Sequence, residues 1–222
     1  MMEIIARIKN DYTVKFGVPR QAGLVNSVNS VIIFEPQYRS DEAIRGIEEF
    51  SHLWLIWNFS ETENKNISHT VRPPKLGGNK KMGVFATRSP YRPNSLGLSS
   101  VKLIEKKKDE KYGTVLVVSG ADLVNGTPIY DIKPYIPYTD CHKDATGGFT
   151  DSINYETLNV ILDCEHNMPV RKLEALKEIL SLDPRPSYHN DDDRIYSFEF
   201  SNYNVKFKVS GTNLYITKLS KN

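Results

Sequence analysis

Apolar and polar positions alternate along this chain in short blocks. Residues 3–8 and 31–34 read as strands, and the Gly- and Pro-punctuated stretch 12–29 between them reads as a loop. Ser40 and the acids after it predict a helix over 41–50, with Ile44, Ile47 and Phe50 at helical spacing. Residues 52–59 are aromatic and branched enough for a buried strand. Further strands are predicted at 82–87, 98–104 and 114–119, with 105–111 as a charged hairpin tip. Short strands with Gly and Pro turns favour a β-barrel or sandwich over a doubly wound sheet. Residues 144–154 are small, polar and Gly-rich and read as a linker. After them, Val170, Leu173, Leu176 and Leu180 mark one face of a helix over 170–181. Strand-like runs at 195–200, 205–209 and 214–219, joined by short turns, predict a small antiparallel sheet. The pattern therefore predicts a mainly β chain. Residues 1–150 would form a β-barrel or sandwich domain and residues 151–222 a small α+β domain.

Composition narrows the classes. The chain has 222 residues, enough to bury a core without staples, and 25% charged residues, the globular average. Two cysteines, Cys141 and Cys164, exclude a disulfide framework and a four-cysteine zinc site, and fit a reducing, cytoplasmic setting. No apolar run reaches membrane-spanning length, and the first residues lack the apolar core of a signal peptide. The net charge of +2 hides a segregation. No Asp or Glu occurs over 64–104, which holds Lys65, Arg72, Lys75, Lys80, Lys81, Arg88, Arg92 and Lys102. That window carries +8 and leaves −6 for the remainder. A basic window suits a polyanionic partner; its bland counterpart is a solvated face.

Familiar cofactor signatures are missing. No Gly-x-Gly-x-x-Gly follows a strand. Residues 78–83 have the glycine spacing of a phosphate loop without its Lys and hydroxyl. His52, His69, His142, His166 and His189 are scattered, so no metal is expected. Chemistry concentrates instead in four segments. Residues 18–21 (VPRQ) make a polar loop tip. Residues 72–97 set arginines among prolines, which fix the backbone, and glycines, which allow close approach. Residues 122–134 offer Asp122, Asp131 and an Asn-Gly turn, and 183–188 (DPRPSY) form a stiff link between helix and sheet. Singly, each has a structural explanation. Arg20 can pair with a surface acid, Asp122 and Asp131 can cap turns, Asp183 before proline can end a helix, and His52 can belong to the core. Four in one chain are harder to dismiss.

These segments resemble the TsaA-like family, and within it the TrmO-type tRNA (adenine-N6)-methyltransferases. The resemblance runs through VPRQAGLV (18–25), IRGIEEFSHLWLI (44–56), VRPPKLGGNKKMGVFATRSPYRPNSLGLS (71–99), DLVNGTPIYDIKPYIPY (122–138) and DPRPSY (183–188). Ser95 stands where the family usually has Pro, and Asn125 where it usually has Asp. The resemblance implies a small barrel that binds S-adenosylmethionine without a Rossmann sheet, and a homodimer. It also implies N6-methylation of threonylcarbamoyl-adenosine at position 37, beside the anticodon of threonine tRNA. By motif position, Pro19, Arg20, Gln21, His52, Leu53, Arg88, Leu98, Asp122, Leu123, Val124 and Asn125 would line the cofactor. Asp183, the Pro184 carbonyl and Tyr188 would stand at the reaction centre.

The residue types suit those roles. Arg20 or Arg88 would take the cofactor carboxylate, Asp122 its ammonium, and Leu98, Leu123 and Val124 its adenine. Asp183 or the Pro184 carbonyl would accept the N6 proton, and Tyr188 would stack on a splayed base. Arg185 or Arg92 would meet the threonine carboxylate of the substrate. Lys65, Arg72, Lys75, Lys80, Lys81 and Arg92 would contact anticodon-arm phosphates. Two competing readings are a non-catalytic RNA-binding barrel and a methyltransferase of the same fold with a non-tRNA substrate.

Overall fold

The computed structural model describes residues 2–62, 68–76, 80–153, 156–185 and 191–222. In chain order its strands are β1 (Ala6–Lys9), β2 (Asn29–Phe34), β3 (His52–Asn58), β4 (Thr70–Val71), β5 (Met82–Gly83), β6 (Leu96–Asp109), β7 (Gly113–Ser119), β8 (Pro128–Pro134), β9 (Asn159–Leu162), β10 (Tyr196–Phe200), β11 (Tyr203–Ser210) and β12 (Asn213–Lys221). Two α-helices are present among the described residues, α1 (Pro137–Asp140) and α2 (Val170–Ser181).

Six strands pair in the order β1-β2-β7-β6-β3-β8. β1 bonds to β2 on one side and to β8 on the other, so the ladder closes on itself as a barrel. Alternation decides which side chains enter it. Leu53, Leu55 and Trp57 of β3, Val101 and Leu103 of β6, and Leu116 and Val118 of β7 share one core with Ala6, Ile8, Ile32, Phe34, Leu123 and Ile129.

Several local expectations give way. Residues 41–50 form two 3₁₀ turns, Glu42–Ile44 and Ile47–Glu49, instead of a helix. Gly46 between them has φ +80, a left-handed conformation that interrupts helical hydrogen bonding. The Asp41 carboxylate turns away to Lys108 and Thr114. The strand predicted at 82–87 shrinks to β5, because Val84–Ala86 winds into a 3₁₀ turn. The charged stretch 105–111 is mostly strand, since β6 runs to Asp109 and its lysines pair with the edge of β7. β8, which completes the ring, went unpredicted because its proline-bounded PIYDIKP lacks alternation.

The second sheet has four strands in the order β10-β11-β12-β9, with β9 parallel to β12, where three antiparallel strands were predicted. Its core takes Leu176, Ile179 and Leu180 from α2, and Phe198, Phe200, Phe207 and Ile216 from the sheet. It also takes Tyr12, Val25 and Val28 from the loop between β1 and β2. That loop is therefore shared across the expected boundary at residue 150. Glu178 of α2 accepts the Asn26 and Ser27 amides at 3.0 and 3.1 Å, and Lys172 pairs with Asp11 at 3.1 Å. Gly17, at φ +91, leaves room for the Phe198 ring, since a Cβ there would come within 2.5 Å of it.

Candidate active site

The four chemistry-bearing segments meet. Pro19, Arg20 and Gln21 lie on the shared loop, whose Gly23 amide donates to the Gly120 carbonyl at 2.8 Å. This docks the loop against the exit of β7 and the segment 122–125. Arg88 Nη1 donates to Gln21 Oε1 at 2.5 Å, and Gln21 Nε2 donates to the Arg20 carbonyl at 2.6 Å. Arg20 Nη2 donates to the Arg185 carbonyl at 3.0 Å, across 165 positions of sequence. Arg185 forks onto Asp183 through Nε at 2.8 Å and Nη2 at 2.9 Å. Partial burial lowers the Arg20 pKa, with Asp183 opposing, whereas the Asp183 fork raises that of Arg185.

Asp122 enters from the other side. Ser99 Oγ donates to its Oδ1 at 2.5 Å, and Trp57 Nε1 donates to Ser99 Oγ at 2.9 Å. Burial is the main cause pushing the Asp122 carboxyl above the usual range. The Ser99 hydroxyl, the Asp122 and Ala22 amides and Arg88 pull it back. Neither Ser99 nor Trp57 was singled out from the sequence. A signal existed: in LGLSSVKL, alternation puts Gly97, Ser99, Val101 and Leu103 on one face, and a Ser among core positions needs a partner.

The remaining candidates sort by geometry. Leu53 and Leu123 are fully buried in the barrel core, so their side chains hold the wall rather than face a ligand. The Leu123 carbonyl is taken by Asn10 Nδ2 at 2.9 Å. Leu98 stands on the opposite face of β6 from Ser99 and is 58% exposed. His52 pairs with Lys102, three rungs from the Leu55–Ser99 pair, on the outer face against Tyr135. It is the cofactor candidate least joined to the cluster. Val124 and Asn125 form the turn completed by Gly126 at φ +84, and Asn125 Oδ1 accepts the Asn10 amide at 3.1 Å. Asp131 pairs with its neighbour Lys133 at 3.0 Å.

Asp183 has both carboxylate oxygens on Arg185, which makes it a weak proton acceptor and occupies the guanidinium expected to meet the substrate. Its φ of +49 aims the chain sharply into Pro184. Tyr188 lies outside the described residues, as does Lys65; the side chain of Lys75 is likewise not described. Arg92 Nη1 closes its own loop onto the Thr87 carbonyl at 3.1 Å. Arg72, Lys80, Lys81 and Lys102 are exposed. Among the described residues no three His, Cys, Asp or Glu side chains gather as metal ligands, and no helix is long and apolar enough to cross a membrane.

Arginines opposed to a half-buried carboxylate match a zwitterionic amino acid end, with ammonium for Asp122 and carboxylate for Arg20 or Arg88. The donor set therefore fits an α-amino acid moiety such as that of S-adenosylmethionine.

Residues 7–141 match the tRNA-methyltransferase O N-terminal domain, and residues 154–222 match the TrmO C-terminal domain. The tRNA (adenine(37)-N6)-methyltransferase of Escherichia coli K12 is 38% identical, covering 94% of this chain and 92% of its own length. A putative S-adenosylmethionine-dependent methyltransferase of Pseudomonas aeruginosa is 35% identical over 85% of this chain and 83% of its own. A crystal structure of TrmO from Pseudomonas aeruginosa superposes with a TM-score of 0.75 at 27% identity, covering 99% of this chain and 98% of that one.

Proposed function

The chain belongs to the tRNA-methyltransferase O family, and on that premise we propose that it is an S-adenosylmethionine-dependent methyltransferase acting on N6 of adenosine 37 in tRNA. The finer reading is that its substrate is threonylcarbamoyl-adenosine in the anticodon arm of threonine tRNA. The observation that carries the assignment is the meeting of three elements: Arg20, Gln21 and Arg88 are hydrogen-bonded together and to the Arg185 carbonyl, and Asp122 is held against the same loop through the Ala22 amide and the Gly23–Gly120 bond. S-adenosylmethionine, when bound, supplies an electrophilic methyl group.

The work left to the protein is alignment, dehydration and removal of one proton. In this reading residues 1–150 hold the cofactor, with Pro19, Arg20, Gln21, Arg88 and Asp122 around its amino acid end. Residues 151–222 bring the segment that begins at Asp183 to the base. The N6 nitrogen of a threonylcarbamoylated adenosine bears an acyl group, so its proton is more acidic than that of adenosine and a strong base is unnecessary. The Pro184 carbonyl accepts a hydrogen bond from the N6 proton in this scheme, water carries the released proton away, and Tyr188 is the stacking platform. Asp183 acts by holding Arg185 in place. Asp183→Asn is then expected to slow single-turnover methylation about tenfold, whereas loss of a general base costs a hundredfold or more. Wild-type rates for both Asp183→Ala and Tyr188→Ala would remove the 183–188 segment from the mechanism.

A homodimer working in the cytoplasm completes the reading. Phe85 and Leu98 expose apolar surface on β6 and the loop before it, 77% and 58% accessible, as a face for a second copy. Light scattering should give twice the chain mass.

The deciding experiment is nucleoside mass spectrometry of tRNA incubated with protein and S-adenosylmethionine. One added methyl is expected on threonylcarbamoyl-adenosine and none on tRNA lacking that modification. Equal methylation of unmodified adenosine would overturn the finer reading. No methylation together with no cofactor binding would favour the RNA-binding module.

A further inference from the structure

We propose that Ser99 and Trp57 are positioning residues of the cofactor site, which aim a single hydroxyl proton at Asp122 and so present that carboxylate as an oriented anion to the ammonium of S-adenosylmethionine. The inference rests on the reading above that the cofactor's amino end meets Asp122.

The direction of each hydrogen bond is forced. An indole N–H only donates, so at 2.9 Å the Ser99 oxygen is the acceptor of Trp57 Nε1. Ser99 has one proton, and Asp122 Oδ1 stands 2.5 Å away as its acceptor. With the indole donating to the Ser99 oxygen, the hydroxyl proton goes to Asp122. Trp57 is 5% exposed and Ser99 1%, so bulk water does not substitute for either bond. Gly97, paired with Trp57 across the β3–β6 ladder, leaves the space the indole occupies. A hydroxyl that can only donate to Asp122 stabilises its ionised form.

Among the described residues, few groups face Asp122. Arg88 approaches from the loop before β6, and the Ala22 amide and the Tyr12 phenol approach from the loop between β1 and β2. Burial raises the Asp122 pKa, and the Ser99 hydrogen bond is the largest influence lowering it, ahead of Arg88. Without Ser99 the carboxyl takes up its proton at higher pH. The neutral acid cannot pair with an ammonium, so cofactor affinity is lost from the acid side first.

The test is calorimetric titration with S-adenosylmethionine across pH. It compares wild type with Ser99→Ala, Trp57→Phe, Asp122→Asn and the double variant Ser99→Ala/Asp122→Asn. Ser99→Ala is expected to bind about tenfold more weakly near neutral pH, with its acid limb moved to higher pH. Trp57→Phe, which keeps a ring and frees the hydroxyl, should shift the limb in the same direction by a smaller amount. The double variant should bind no more weakly than Asp122→Asn alone, because Ser99 acts through that carboxylate. Wild-type affinity and limb in Ser99→Ala, with Asp122→Asn impaired, would overturn the proposal and leave the cofactor placement standing. Wild-type affinity in Asp122→Asn would overturn the placement itself and the proposal with it.

Discussion

Gly97→Ala should destabilise the protein by about 3 kcal/mol, the upper range for overpacking a filled core. A Cβ at Gly97 would lie 2.1 Å from Trp57 Cε2 and 2.4 Å from Cζ2. The indole has nowhere to go, because its N–H is held by Ser99 and its ring tilts onto Phe59 with centroids 4.2 Å apart. Gly97 lacks a positive φ, so its backbone would accept alanine; the glycine is there for space rather than conformation. A compensating change isolates the cause. In a Trp57→Leu background, Gly97→Ala should cost less than about 1 kcal/mol, since the benzo ring it collides with is gone. Urea unfolding of the four proteins measures this cycle. A Gly97→Ala protein with a wild-type midpoint would show that the ladder shifts freely and that Trp57 is not pinned.

The second large effect concerns RNA. Lys80→Glu/Lys81→Glu should weaken tRNA binding roughly 100-fold near 0.1 M salt and reduce the slope of log affinity against log salt by about 2. Both lysines are exposed, in the acid-free window 64–104. In the same window Arg92 closes onto the Thr87 carbonyl, and Arg88 turns toward Gln21 and the candidate cofactor site. The charges that remain for phosphate are therefore mainly lysines, whose contacts position without reading sequence. Fluorescence anisotropy with labelled tRNA at several salt concentrations gives both quantities. Cofactor affinity should stay at the wild-type value. Unchanged tRNA affinity would place the RNA on another face.

Much of this protein was legible in its linear pattern because the relevant signals are local. The helix at Val170–Ser181 was readable to the residue, since amphipathic spacing repeats within a few turns. Strands β2, β3 and β7 were readable within a residue or two, since β-branched and aromatic runs carry their own signal. The family, too, was legible, because glycine, proline and arginine at fixed offsets survive as text. Residues 41–50 failed for a reason that is also local: helical spacing was counted across Gly46, whose left-handed conformation breaks the helix.

Other features depended on which distant segments touch. That β8 seals the ring through Ile129 opposite Ala6 is a property of closure, invisible in PIYDIKP itself. That the loop between β1 and β2 belongs partly to the second core follows from Tyr12 and Gly17 meeting Phe200 and Phe198. Asp183 reads in sequence as an available carboxylate, and in three dimensions both its oxygens are held by Arg185. Ser99 reads as an ordinary strand serine, and only the approach of Trp57 and Asp122, 42 and 23 positions away, makes it the hinge of a buried relay. The sequence by itself determined the elements, the basic window and the family, because these depend on residue type and short spacing. The tertiary structure alone decided which charges are occupied and which remain for a ligand, because hydrogen bonding of a buried group depends on neighbours far away in the chain.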